Sequence, residues 1–213
     1  MPKRLDCYFD YRSPFPYLAL GPVAELGRRY GVVPEWIPIR LPELGTYALR
    51  PMGHNLPKRN AYVALDMQRW ARRRGVTVRP PQVLLASSPT PPRPVLGRDH
   101  PMDTERLLRA ATVAKTKGHA VFERYLRASM EAVWGRGEDP AAAATLDEIL
   151  GEIGADREAF RADIEAPETA AALEQATGEA DDRGVFGVPT FFVDEEMFWG
   201  QDRLDFVEEA LRG

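Results

Sequence analysis

The β-prone stretches of this chain lie at its two ends, and everything between them reads as helix or loop. Residues 5–10 (LDCYFD) alternate around Cys7 and Phe9, as a short buried strand does. Ser13-Pro14 follows, and serine at a cap with proline as the first helical residue is a strong helix start. Leu18, Val23, Leu26 and Tyr30 then form an apolar helical face, and Gly31 supplies the stop. Residues 34–39 (PEWIPI) predict a second strand, with Pro38 at a strand end or on an edge. A β-α-β beginning places two neighbouring strands in parallel, joined by a crossover helix.

At the other end, residues 188–193 (VPTFFV) predict a strand, residues 194–196 a turn and residues 197–199 a returning strand, which together make a hairpin. Gly200 breaks it, and residues 202–211 form a last amphipathic helix with Leu204, Val207 and Leu211 inside. In the middle, residues 56–74 carry Tyr62, Leu65, Asp66, Arg69 and Trp70 at helical spacing. The proline-rich residues 80–101 predict an extended surface loop. Asp103-Thr104 caps a helix running to about Lys117, and Gly118 separates it from a helix over 119–134. Phe122, Tyr125, Leu126, Met130 and Val133 form an apolar stripe there, read as ordinary core. Asp139-Pro140 begins another helix that ends near Gly154, and residues 156–165 and 168–182 give two more. With the helical block removed, the remaining order is that of a thioredoxin-like fold. The predicted class is therefore α/β: a discontinuous thioredoxin-like domain, residues 1–42 and 166–213, carrying an inserted all-helical domain, residues 43–165.

Composition removes several kinds of function. Apolar residues make up 44% and charged residues 28%, which excludes a disordered chain. No apolar run approaches the about 18 residues of a membrane helix. The first residues lack the apolar centre of a secretory leader, because Asp6 and Asp10 interrupt it. The net charge of −4 comes without a basic stripe, so no nucleic-acid partner is expected. The cluster Arg72-Arg73-Arg74 reads as a solvated helix end. The single cysteine, Cys7, cannot form an internal disulfide, a CxxC pair or a cysteine-rich zinc site. The three histidines, His54, His100 and His119, are too scattered for metal-ligand spacing, so no metal is expected. A disulfide exchanger working with its own two thiols is thus ruled out, and a reducing compartment is expected.

Three segments carry the chemistry: Asp10-Tyr11-Arg12-Ser13-Pro14, Gly187-Val188-Pro189-Thr190 and Trp199-Gly200-Gln201-Asp202-Arg203. Each lies at a strand end, where open sheets place ligands. Ser13 has two readings. It caps its helix, or its hydroxyl and the helix N-terminus favour an anion such as a thiolate. With no neighbouring histidine, it is a poor acyl-transfer nucleophile. Pro189 is either a trans proline opening an edge strand or a cis proline that turns the Val188 amide and carbonyl outward for strand-like pairing. Asp202 either caps the last helix or holds an ammonium group while neighbouring amides hold a carboxylate, as an α-amino acid end would require.

The stretches SPFPYLA, DMQRWA, RGVFGVPTFFV and EMFWGQDRLDFVEEAL resemble the 2-hydroxychromene-2-carboxylate isomerases, which are similar to kappa-class glutathione transferases. The resemblance covers most of the chain and is most specific in the C-terminal stretch. It implies glutathione as cosubstrate and a homodimer in the cytoplasm. It assigns Ser13 to the glutathione sulfur, Val188 to main-chain pairing with the cysteinyl unit ahead of a cis Pro189, and Trp199, Gly200, Gln201 and Asp202 to the tripeptide, chiefly its γ-glutamyl end. The implied chemistry is reversible thiol addition to a small aromatic or enone acid, rotation about the new single bond, and elimination. The chain departs from the family at Arg12 and Pro16 and at Gly53-His54-Asn55-Leu56. Arg12, Arg40, His54 and Asn55 are the candidates for holding a substrate acid. The alternatives are a kappa-like glutathione transferase, a glutathione-linked thiol oxidoreductase, and a non-catalytic thioredoxin-fold binding protein.

Overall fold

A computed structural model describes residues 3–45, 57–86 and 102–213. Its sheet has the order β2-β1-β3-β4, with β1 (Leu5–Phe9), β2 (Pro34–Pro38), β3 (Thr190–Val193) and β4 (Glu196–Trp199). β1 and β2 run parallel, as the crossover requires, with Cys7 opposite Trp36. β1 and β3 are antiparallel, and β3 and β4 form the hairpin. Its turn is taken at Asp194, with φ 54°.

The crossover is α1 (Phe15–Tyr30), which ends at Gly31 in the left-handed region, with the Gly31 N–H on the Gly27 carbonyl. Every residue of β1 is buried, because helices cover both faces of the sheet. Leu5, Cys7 and Phe9 face the main core with α1 and the last helix, α9 (Leu204–Arg212), where Leu204, Val207 and Leu211 point inward. Tyr8 points the other way, into a smaller cluster with Ile39, Leu41, Ala180, Val188 and Phe192. This is the two-residue alternation of a strand.

The insertion contributes α2 (Pro57–Arg74), a short α3 (Gln82–Ala86), α4 (Glu105–Thr116), α5 (His119–Met130), α6 (Ala143–Glu152) and α7 (Arg157–Glu165), and α8 (Pro167–Asp182) follows it on the way back to the sheet. Four strands and nine α-helices are present among the described residues. α8 packs against both α4 and β2, so it covers the sheet and meets the insertion.

Several local expectations need adjustment. The proline-rich stretch contains α3, while residues 87–101 lie outside the described part. The helix expected over 119–134 changes to a π-helical turn, Glu131–Arg136, after α5. The helix after Asp139-Pro140 starts only at Ala143, since the Asp139 side chain accepts the Ala141 N–H in a turn of its own. Asp156 does cap α7, accepting the Glu158 and Ala159 N–H groups.

Candidate active site

The loop between β1 and α1 is built around a carboxylate. Asp10 is fully buried and accepts four hydrogen bonds. Arg12 donates its N–H at 2.9 Å and its Nη1 at 3.2 Å. The Leu41 N–H, just after β2, donates at 2.9 Å, and the Thr104 hydroxyl of the insertion at 3.1 Å. A buried carboxylate without such donors would cost several kcal/mol, roughly the desolvation penalty of one ion. Thr104 therefore spends its hydroxyl on Asp10 and caps nothing. Asp103 accepts the Glu105 N–H in its place. The insertion grips the same loop twice more: Trp134 Nε1 donates to the Tyr11 carbonyl at 2.8 Å, and the Tyr11 and Ser129 hydroxyls are 2.8 Å apart.

Ser13 sits at the tip of α1, half-buried. Its N–H donates to the Asp10 carbonyl at 3.2 Å. Its hydroxyl donates to the Val188 carbonyl at 3.2 Å and accepts the Phe15 N–H at 3.3 Å. The helix starts one residue later than the cap-plus-proline pattern predicts, with Pro14 at the cap and Phe15 as the first helical residue. Pro14 and Pro16 carry no N–H, so two of the amides that a helix start offers to an anion are missing. The Ser13 hydroxyl is correspondingly more important as a donor.

The Val188-Pro189 bond is cis, and the Val188 N–H is given no partner by the described residues. The Pro189 carbonyl accepts the Gly200 N–H at 2.9 Å, which ties this loop to the end of β4. Trp199, nearly half exposed, lies 4.8 Å from the Phe186 ring and covers Gly187. A Cβ on Gly187 would meet Trp199 Nε1 at 2.6 Å, so this close approach requires glycine.

Gln201–Arg203 is a 3₁₀ turn with Gly200 at its cap. Asp202 caps neither that turn nor α9, whose cap position is Arg203. Its carboxylate lies in the open, 3.3 Å from Arg203 Nη1. The Gln201 side chain is buried, and its Oε1 accepts Arg74 Nη2 at 2.6 Å. The same nitrogen donates to the Gln201 carbonyl at 3.0 Å. Burial, with Arg73 nearby, pulls the Arg74 guanidinium down to about 10.

Hydrogen bonds thus join Ser13 to Val188 and Gly200 to Pro189, with Trp199, Gln201 and Asp202 in the adjoining residues. The substrate-acid candidates are less uniform. Arg12 is engaged by Asp10 and by the Met102 carbonyl, on which Nε donates at 3.2 Å. Arg40 makes two 2.7 Å bonds to Glu105, which hold its guanidinium above the usual arginine value. Both arginines enter with their charge already matched. His54 and Asn55 lie outside the described residues. Cys7 is buried in β1, and burial, with Asp6 and Glu35 nearby, pushes its thiol well above the ordinary range. It supplies no nucleophile. Among the described residues no cluster of histidine, cysteine or acidic side chains has a metal-binding arrangement. No helix there is long and apolar enough to cross a membrane.

Thr104, Trp134 and Arg74 belong to this site without having been singled out for it in the sequence, and Asp10 was named only as the start of the first segment, with no role. Asp10 had one signal, its place at the end of β1 directly before the loop. The other three are distant in sequence and carried none.

Residues 4–212 match the family model described as the DSBA-like thioredoxin domain. A 2-hydroxychromene-2-carboxylate isomerase of Sphingobium xenophagum is 32% identical over 215 residues, covering 99% of both chains. This chain belongs to the 2-hydroxychromene-2-carboxylate isomerase family, within the DSBA-like thioredoxin domains. An isomerase of the same family from Pseudomonas putida is 29% identical, covering 97% of this chain and 93% of the relative. A solved 2-hydroxychromene-2-carboxylate isomerase superposes with a TM-score of 0.80 at 28% identity, over 98% of this chain and 94% of the other. A probable DsbA oxidoreductase from Streptomyces coelicolor shares the fold, with a TM-score of 0.71 at 20% identity, over 98% and 88% of the two chains. The isomerase family matches from end to end, so the helical insertion is part of the shared fold and the chain is an enzyme of the isomerase type.

Proposed function

We propose that this isomerase uses glutathione as cosubstrate and acts on a small aromatic or enone acid of the 2-hydroxychromene-2-carboxylate type. The observation that carries the reading is the pairing of the Ser13 hydroxyl with the Val188 carbonyl at 3.2 Å, beside the unpartnered Val188 N–H and the cis Pro189. The donor set fits the tripeptide. A hydroxyl at a helix tip suits a sulfur anion, the Val188 main chain suits the cysteinyl amide, and the open Asp202 carboxylate suits the γ-glutamyl ammonium. Bound glutathione would supply the thiolate that adds reversibly to the substrate, so that rotation precedes elimination.

The protein's own part is electrostatic and positional. Ser13 turns its proton from the Val188 carbonyl toward the sulfur, which favours the anion and lowers the thiol pKa. Asp10 holds the Arg12 N–H and so fixes the loop that presents Ser13. Trp199 and Gly187 close one side of the site. The reading extends to a homodimer in the cytoplasm, which sedimentation and cell fractionation test.

Chromene isomerisation, followed by the absorbance of the conjugated product, is expected to require added glutathione. Ser13→Ala should lower turnover about 10²-fold, the cost of one anion-stabilising donor, while tripeptide affinity changes little. Thiolate absorbance of the bound tripeptide should titrate at higher pH in the variant. Equal turnover and equal titration in both proteins would leave Ser13 a helix-start residue only.

A further inference from the structure

The buried or half-buried arginines among the described residues are matched by carboxylates, with one exception. Arg12 meets Asp10, Arg40 meets Glu105, Arg136 meets Glu138 and Arg183 meets Asp6. Arg74, at the end of α2, meets only neutral acceptors: the Gln201 carbonyl at 3.0 Å and Oε1 at 2.6 Å. Its Nε is buried and has no acceptor. The guanidinium lies 5.0 Å from the Trp70 ring centroid, and Arg73 lies 5.2 Å from the same ring, so two cations lie against one aromatic ring. Among the described residues no carboxylate neutralises Arg74, although a desolvated cation without a counter-charge is costly.

Its position suggests what does. Gln201 lies between Gly200, whose N–H binds the Pro189 carbonyl, and Asp202, whose carboxylate is open. The unmatched cation therefore reaches the turn next to an exposed carboxylate whose one ion pair is with the equally exposed Arg203. A ligand terminus carrying an ammonium beside a carboxylate complements both.

We infer that Arg74 is a specificity-determining residue, reaching from the helical insertion to attract the α-carboxylate of the γ-glutamyl end while Asp202 takes its ammonium. The inference rests on the glutathione reading and deepens it. Arg74 also shapes the Gln201 turn through its two hydrogen bonds, and the test must separate the two roles.

Calorimetric titration of the full chain, with Arg74→Met and Arg74→Lys beside wild type, uses two probes. One is glutathione. The other is its analogue with hydrogen in place of the γ-glutamyl α-carboxyl group, 4-aminobutyryl-cysteinylglycine. Wild type should bind glutathione at least about tenfold more tightly than the analogue, as a charge-assisted contact provides. Arg74→Met should lose that preference and bind the analogue as wild type does, and Arg74→Lys should restore part of it. Melting curves establish that both variants fold. Equal weakening of both probes would mean that Arg74 only shapes the turn, and unchanged glutathione affinity would mean that it does neither. Either result overturns the inference while leaving the glutathione reading intact. Failure of wild type to bind either probe removes that reading and this inference with it.

Discussion

The Asp10 carboxylate takes donors from three parts of the chain, its own loop, the end of β2 and the insertion, in a place closed to solvent. Ser13 by contrast makes two long hydrogen bonds and is half-buried. On the proposed function the serine acts and the aspartate holds. Asp10→Ala removes the acceptor and leaves the Leu41 N–H and the Thr104 hydroxyl buried without a partner. It should cost about 3–5 kcal/mol. Thr104→Ala loses one hydrogen bond and should cost about 1 kcal/mol. Urea unfolding measures both. An Asp10→Ala loss no greater than that of Thr104→Ala would mean that the loop is held elsewhere.

The elements around the site meet through close approaches. The hairpin end brings Trp199 onto Gly187, and that contact sets how the cis-proline loop lies against β4. Gly187→Ala drives a methyl group into the indole. The ring must leave Phe186, and overpacking of this kind costs about 1–3 kcal/mol. Tryptophan fluorescence should shift toward the exposed form, and the urea midpoint should fall. An unchanged spectrum would show that the indole yields freely. On the insertion side, the π turn of Glu131–Arg136 carries Trp134 inward to the Tyr11 carbonyl, and Tyr17 donates to Glu131 at 2.6 Å. Short π turns recur at functional sites, where they redirect a side chain.

At the scale of the molecule, the thioredoxin-like part and the insertion are joined by charge as well as by core. Arg40, after β2, binds Glu105 at the start of α4, and Arg109 adds a third bond to the same carboxylate at 2.6 Å. Arg40 first, then Arg109, holds the Glu105 carboxyl below its usual range. A carboxylate with a depressed folded pKa adds stability above its unfolded value of about 4.3. That stability is lost as pH falls through the folded pKa. Glu105→Gln should therefore be less stable than wild type at neutral pH, by no more than about 1 kcal/mol for a partly exposed cluster. The gap should close in acid. Urea midpoints from neutral to acid pH check this, and a gap independent of pH would mean that the pairing adds no net stability.

The order of elements, the parallel β1–β2 pair and the C-terminal hairpin are legible in the residues alone. Those features rest on interactions within a few residues: alternation in LDCYF, a proline-started helix with its glycine stop, and an apolar run before a turn. Where polar side chains spend their hydrogen bonds depends instead on how distant segments pack. Thr104 and Asp202 both occupy positions where local rules predict a cap, yet one reaches Asp10 and the other stays open. Arg74 reads as one of three solvated arginines at a helix end, and it meets Gln201 across 127 positions. Local propensity decides which backbone groups need partners nearby. A charged side chain several bonds long takes whatever acceptor packing brings within reach, and that depends on which faces of the sheet and the insertion come together.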